Sequence, residues 1–197
     1  MMLKTSPIGR LTRLGLLGCV LASTSVFADD YTPVTTFLRN GQLTEAMAKA
    51  DEYLAKNPRD PQMQFLRALI QQDGGKQAEA IASYTKLIET YPELPEPYNN
   101  VAVLYAAQGQ YDRARSSLEM ATRASRSYGT AYENLGDVYA RLATQSYIQA
   151  QQLEPGNTTI APKLALIRQL ISTPVPARSA APTDRARPPT PAASSAR

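Results

Sequence analysis

Histidine is absent from the chain, and cysteine occurs once, as Cys19. These two absences remove ordinary zinc sites, Cys–His dyads and Ser–His–Asp triads. No cluster of carboxylates or lysines stands in their place, so the sequence offers no catalytic centre and no metal or cofactor motif. A period-two strand pattern is missing from residue 29 onward, which points to an all-α protein. Long apolar runs are missing too. The longest, Leu14 to Ala22, is too short to cross a bilayer comfortably. The net charge of +4 invites a nucleic-acid reading, but residues 29–172 carry 14 basic and 16 acidic side chains. That segment has no basic stripe to face a phosphate backbone, and nucleic acid is not an expected partner.

What the chain does contain is a period. Gly41, Gly75 and Gly109 stand at one constant interval, and Ala46, Ala80 and Ala114 repeat it. Pro58 and Pro92 keep the same step, as do Tyr98 with Tyr132 and Tyr105 with Tyr139. The interval is about 34 residues, within the range of stacked helical repeats. Within Pro95–Tyr128, Tyr98, Val101, Ala102 and Tyr105 fall on one helical face, Gly109 permits a turn, and Ala114, Leu118 and Ala121 make a second apolar stripe. Two short helices joined by a tight turn cannot bury both faces alone. A fixed period of such pairs predicts a stacked helical array.

The pattern resembles the tetratricopeptide repeat. Tyr132-x2-Leu135-Gly136-x2-Tyr139 matches the family's Trp-x2-Leu-Gly-x2-Tyr with tyrosine for tryptophan, and Tyr98-x2-Val101-Ala102-x2-Tyr105 is a looser copy. The Ala-x3-Phe step reads as Ala80-x3-Tyr84 and Ala114-x3-Leu118. The closing proline reads as Pro58, Pro92 and Pro155, with Arg126 replacing it in the third unit. The resemblance covers roughly residues 30–157. It implies a right-handed α-solenoid of antiparallel helix pairs whose common property is binding, with no shared chemistry.

In chain order, Lys4, Arg10 and Arg13, the apolar run, and Val26-Phe27-Ala28 read as an export signal cleaved after Ala28, which would place the protein in the periplasm. The rival is lipoprotein processing, because Leu16-Leu17-Gly18-Cys19 resembles a lipobox, although Arg13 leaves it a very short apolar run. A repeat domain follows over 29–172. Its first helix, 32–40, has Thr32 as cap and Pro33 at its first position, and Thr44 caps the second. Asp60-Pro61 opens the third, residues 77–91 form the fourth, and 95–108 begins the next pair. Residues 159–172, with Leu164, Ile167, Leu170 and Ile171 apolar, resemble the solvating helix that closes such arrays. Residues 173–197 hold six prolines and no aromatic residue, a composition that predicts disorder.

The fourth unit departs from the period. From Gly129 to Asn157 it falls short of a full repeat, and the stretch Arg141 to Ile148 contains neither glycine nor proline. Nothing there forces a reversal. Leu135, Tyr139, Leu142, Ser146, Ala150 and Leu153 also continue one stripe. The expectation is one helix from about 130 to 153, with 159–172 folding back on it.

The first helix of each pair is expected to line the concave side. That nominates Phe65, Leu69 and Gln72, then Glu96, Asn99, Val103 and Ala106, then Glu133, Asp137 and Arg141. Asn100 and Asn134, one period apart, occupy the place where the family's peptide-holding members carry asparagine; a side-chain amide can donate and accept to an extended backbone. The alternative is that they bond across helices. With Arg141 the one cation among these residues, a carboxylate clamp is not expected, and a neutral or basic segment suits the groove better. The sequence therefore points to a non-enzymatic scaffold that binds a partner protein or peptide in the cell envelope. The rival is a self-associating structural component of an envelope assembly. Intact mass of the protein taken from the envelope fraction should correspond to a chain beginning at Asp29; a lipid-modified Cys19 at the N-terminus would overturn this.

Overall fold

A computed structural model describes residues 31–172; the expectations for the leader, for Cys19 and for the 173–197 tail lie outside the described residues. The fold is an all-helical solenoid, with no strand among the described residues. The described residues form eight helices: α1 (Thr32–Arg39), α2 (Leu43–Lys56), α3 (Pro61–Asp73), α4 (Gln77–Thr90), α5 (Pro95–Ala107), α6 (Tyr111–Ala124), α7 (Gly129–Leu153) and α8 (Ile160–Ser172). Each packs on the next in sequence.

The turn inside each pair has one construction. Gly41, Gly75 and Gly109 all sit at φ of 73–74°, a conformation in which a Cβ is strained. Around Gly41, Gln42 N–H donates to Phe37 C=O at 2.9 Å and Gly41 N–H to Leu38 C=O at 3.0 Å. Lys76 with Gln71 and Gln110 with Tyr105 repeat the longer bond, both at 2.9 Å. This Schellman geometry leaves no room for a separate cap residue, and the next helix begins at once. Hence the expected cap at Thr44 is corrected: α2 starts at Leu43 with Gln42 as N-cap and no side-chain cap bond. Thr32 is corrected likewise. It is the first residue of α1, behind Tyr31, and its carbonyl already accepts from the Thr35 hydroxyl at 3.1 Å.

Between pairs a side chain does fix one start. Asp60 Oδ1 accepts from Met63 N–H at 2.9 Å and caps α3. Its Oδ2 accepts from the hydroxyls of Tyr31 at 2.6 Å and Tyr53 at 3.0 Å, which ties the beginning of α1 and the end of α2 to the same carboxylate. Burial and the bond to Asp60 both hold the Tyr31 phenol well above its ordinary pKa.

The core runs the length of the array in two buried clusters. One joins Val34, Ala46, Ala50, Met63, Leu66 and Ile70; the other runs from Phe65 and Ala68 to Val138. Helix α3 feeds both, so the array stacks as a single stem. Tyr98, Val101, Ala102 and Tyr105 are all buried, as one shared face requires. The last unit is a single uninterrupted helix of 25 residues, α7, about 37 Å long at 1.5 Å per residue, and α8 packs back on it. Without a glycine, the chain between Leu142 and Tyr147 has no residue suited to the αL turn used three times before it.

Ala46, Ala80 and Ala114 have no exposed surface. Ala80→Leu or Ala114→Leu should overpack the approach of the paired helices and cost about 1–3 kcal/mol. Urea denaturation checks this, and unchanged midpoints in both variants would contradict the packing described.

Candidate functional site

The wall expected to bind is made by α3, α5 and α7, the opening helices of their units. The structure separates the nominated residues into three kinds. Phe65 and Leu69 are buried at 3% and 2% exposure; Phe65 packs its ring 5.7 Å from that of Tyr84. They lie beneath the wall's surface. A second kind is polar. Asn99 is 5% exposed, and Gln72, Glu96, Asn100 and Asn134 are half-buried. Val103, Glu133, Asp137 and Arg141 form the third kind, open to solvent, with Ala106 half-buried beside them.

Asn134, Asn99, Asn100 and Gln72 join with Tyr84 in one chain across four helices. Asn134 Nδ2 donates to Asn99 Oδ1 at 2.8 Å, and Asn99 Nδ2 donates to Asn100 Oδ1 at 3.2 Å. Asn100 Nδ2 then donates to the Tyr84 hydroxyl at 3.1 Å, which donates to Gln72 Oε1 at 3.2 Å. Asn100 and Asn134 thus both bond across helices, one toward α4 and the other toward α5. Asn134 also reaches a cavity, and its Oδ1 accepts no bond from the described residues. Asn100 lines neither cavity described below.

One cavity, of about 420 Å³, lies between α5, α6 and α7. Ala102, Val103, Ala106 and Ala107 form its apolar side, and Asn134, Asp137 and Arg141 its polar side. Small residues along α5 leave the space. A second cavity of about 370 Å³ shares Tyr111 and Arg141 with the first and extends to Thr144 and to Arg168 and Ile171 of α8. Among the described residues Asp137, Arg141 and Arg168 take part in no ion pair. Tyr111, Thr144, Arg168 and Ile171 were not among the residues expected to bind. Tyr111 opens a second helix, and α8 reads only as a cover. Their meeting depends on α7 running straight and α8 returning along it.

The buried member of the amide chain is the structurally costly one. Asn99→Ala strands the amides of Asn134 and Asn100, so it should lower stability by roughly 1–3 kcal/mol. Asn134→Ala, at a half-exposed position where water can replace the lost bond, should cost less. Urea unfolding of both variants decides; the reverse order would show that the chain does not hold α5 to α7.

Comparison with known proteins gives a consistent result. A tetratricopeptide repeat model matches residues 33–95 and 102–144, and a second model of that description matches 83–116. The photosystem I assembly protein Ycf3 of Cyanophora paradoxa is 33% identical over 106 residues, which are 50% of this chain and 55% of that protein. The probable biofilm formation methyltransferase WspC of Pseudomonas putida is 31% identical over 86 residues, 44% of this chain and 20% of its own length. Among solved structures, TTC0263, a thermophilic TPR protein of Thermus thermophilus, superposes with a TM-score of 0.54 at 23% identity over 81% of this chain and 85% of that one. The first TPR domain of human RPAP3 gives 0.55 at 15% identity over 60% and 94%. These likenesses concern the fold.

Proposed function

Because the chain belongs to the tetratricopeptide repeat family, we propose that it is a non-enzymatic scaffold that holds an extended segment of a partner protein against α5 and α7. The observation that carries this reading is the 420 Å³ cavity, with an apolar side next to a polar one. Ala102, Val103, Ala106 and Ala107 admit an apolar side chain of the segment. Asn134 Oδ1 offers an acceptor to a backbone amide, and Asp137 and Arg141 bracket the same space with opposite charges. A neutral segment with a basic residue near Asp137 fits. Arg168 adds a cation at the α8 end, so the charge along the wall changes sign.

The family's fold is typically a non-catalytic interaction scaffold. The methyltransferase named above shares only a fifth of its length with this chain. Among the described residues there is no group of three or more metal-ligating side chains, and no helix is long and apolar enough to cross a membrane. Location in the envelope is part of the proposal and rests on the basic, apolar and small-residue order of residues 1–28.

Site-specific photocrosslinking tests the reading in the cell of origin. A benzophenone side chain at Val103 should capture a discrete partner, whereas the same group at Arg123, on the exposed side of α6, should not. Ala106→Trp, which fills the cavity, should abolish the Val103 capture while the far-ultraviolet helical signal stays unchanged. Equal capture from both positions, or capture indifferent to the added indole, would overturn the assignment.

A further inference from the structure

Equivalent tyrosines in this array have opposite surroundings. Tyr98, Ala102 and Tyr105 of α5 are buried at 7%, 0% and 8% exposure. Their counterparts one period on are Tyr132, Gly136 and Tyr139 of α7. The two tyrosines are 50% and 48% exposed, and a Cβ built on Gly136 would meet nothing within 4 Å. The difference has a simple cause. Helix α6 packs back against α5 through Ala114, Leu118 and Ala121, all at 0% exposure. No helix covers Tyr132, Gly136 and Tyr139 in that way: α7 continues straight where the reversal would fall, and α6 reaches this face through Glu119 Oε1, which accepts from the Tyr139 hydroxyl at 3.3 Å.

The helix that should have covered this face is still written in the chain. Ala143, Tyr147 and Ala150 follow Ala114, Leu118 and Ala121 at one constant offset, shorter than the period by the length of the lost turn. They form the second half of α7 and are only half-buried, and Lys163 of α8 reaches the edge of this stripe, its Nζ 5.8 Å from the Tyr147 ring centre. Tyr132, Gly136, Tyr139, Ala143, Tyr147 and Ala150 recur at steps of three and four, so receiving face and covering face are one stripe on one helix. In the α5–α6 pair, Ala102 and Ala114 share the core cluster across the turn. Their counterparts Gly136 and Ala143 are two turns apart on the same rigid helix and cannot meet within one copy.

We infer that two copies of this chain pair through this stripe, α7 antiparallel to α7 about a two-fold axis near residues 139 and 140. That axis sets Gly136 of each copy against Ala143 of the other, and Tyr132 against Tyr147. Each copy thereby restores across the dimer the helix pair that its own fourth unit cannot form. The contact is isologous, so each copy contributes both faces. Covering Tyr132 and Tyr139 in both copies, with the matching surface of the helices that cover them, removes on the order of 1,000 Å² from water, about the minimum for a biological interface and the size of a weak, reversible one. The occupant is a second copy because the complementary half-helix, in the repeat's own register, is part of this chain. This surface lies on the flank of α7, apart from the residues that line the two cavities.

The test uses the full chain carrying Cys19→Ser. Sedimentation equilibrium should give twice the chain mass, and Tyr132→Glu with Tyr139→Glu should weaken the association by roughly 100-fold while leaving helicity unchanged. Register is read by mixing a Gly136→Cys copy with an Ala143→Cys copy under mild oxidation. A disulfide-linked heterodimer should form in the mixture and not in either variant alone. A chain that stays monomeric at high micromolar concentration would overturn the inference, whether the stripe is then bare or covered by residues 173–197. So would a dimer that forms no mixed disulfide, or one indifferent to the glutamates.

Discussion

Close approach of paired helices at a small residue is the constraint on which the array depends. Ala46, Ala80 and Ala114 occupy equivalent places in successive repeats, and each is fully buried. A methyl group there lets two helix backbones come near enough for the flanking large residues to interlock. Tyr84 and Leu118, one turn on, have no exposed surface. The glycine turns serve the same contact. A left-handed residue at Gly41, Gly75 or Gly109 reverses the chain within a few positions, so the second helix starts already aligned against the first. Because each unit touches chiefly its neighbours, the fold is close to one-dimensional, and the loss of one turn changes the array locally rather than everywhere.

The fourth unit shows that local change. The absence of the turn glycine converts two half-helices into one rod, and three consequences follow together. A face that is covered in the preceding unit is left open at Tyr132 and Tyr139. Helix α8 returns along the far half of α7 and brings Arg168 and Ile171 beside Arg141 and Thr144. The cavity between α5, α6 and α7 then continues into a second space bounded by α8. A helix that would otherwise only shield the end of the core therefore contributes side chains to the wall.

Amides do two jobs in this wall. The chain from Asn134 through Asn99 and Asn100 to Tyr84 and Gln72 fastens successive helices with directional bonds at a depth where unpaired groups are costly. At its outer end Asn134 lines the cavity. One residue type at the repeat's equivalent place thus serves packing alone at Asn100 and also borders the cavity at Asn134, and equivalence within the repeat alone does not separate the two.

The sequence by itself determined the helices, the pairing and the period, because these rest on local signals: apolar spacing of 3.6, glycine where φ must be positive, proline at the first turn of α3 and α5. It determined the long α7 for the same reason, since a missing breaker is as local as a present one. Depth in the wall was not legible. Phe65 and Asn99 stand at positions that spacing assigns to the surface, yet both are buried, because burial depends on how far neighbouring helices overlap. The helix start expected at Thr44 was displaced by a turn whose hydrogen bonds span several residues. The meeting of Tyr111, Arg141 and Arg168, drawn from three helices far apart in the chain, was decided by the tertiary structure alone, because no local pattern encodes where a returning helix comes to rest.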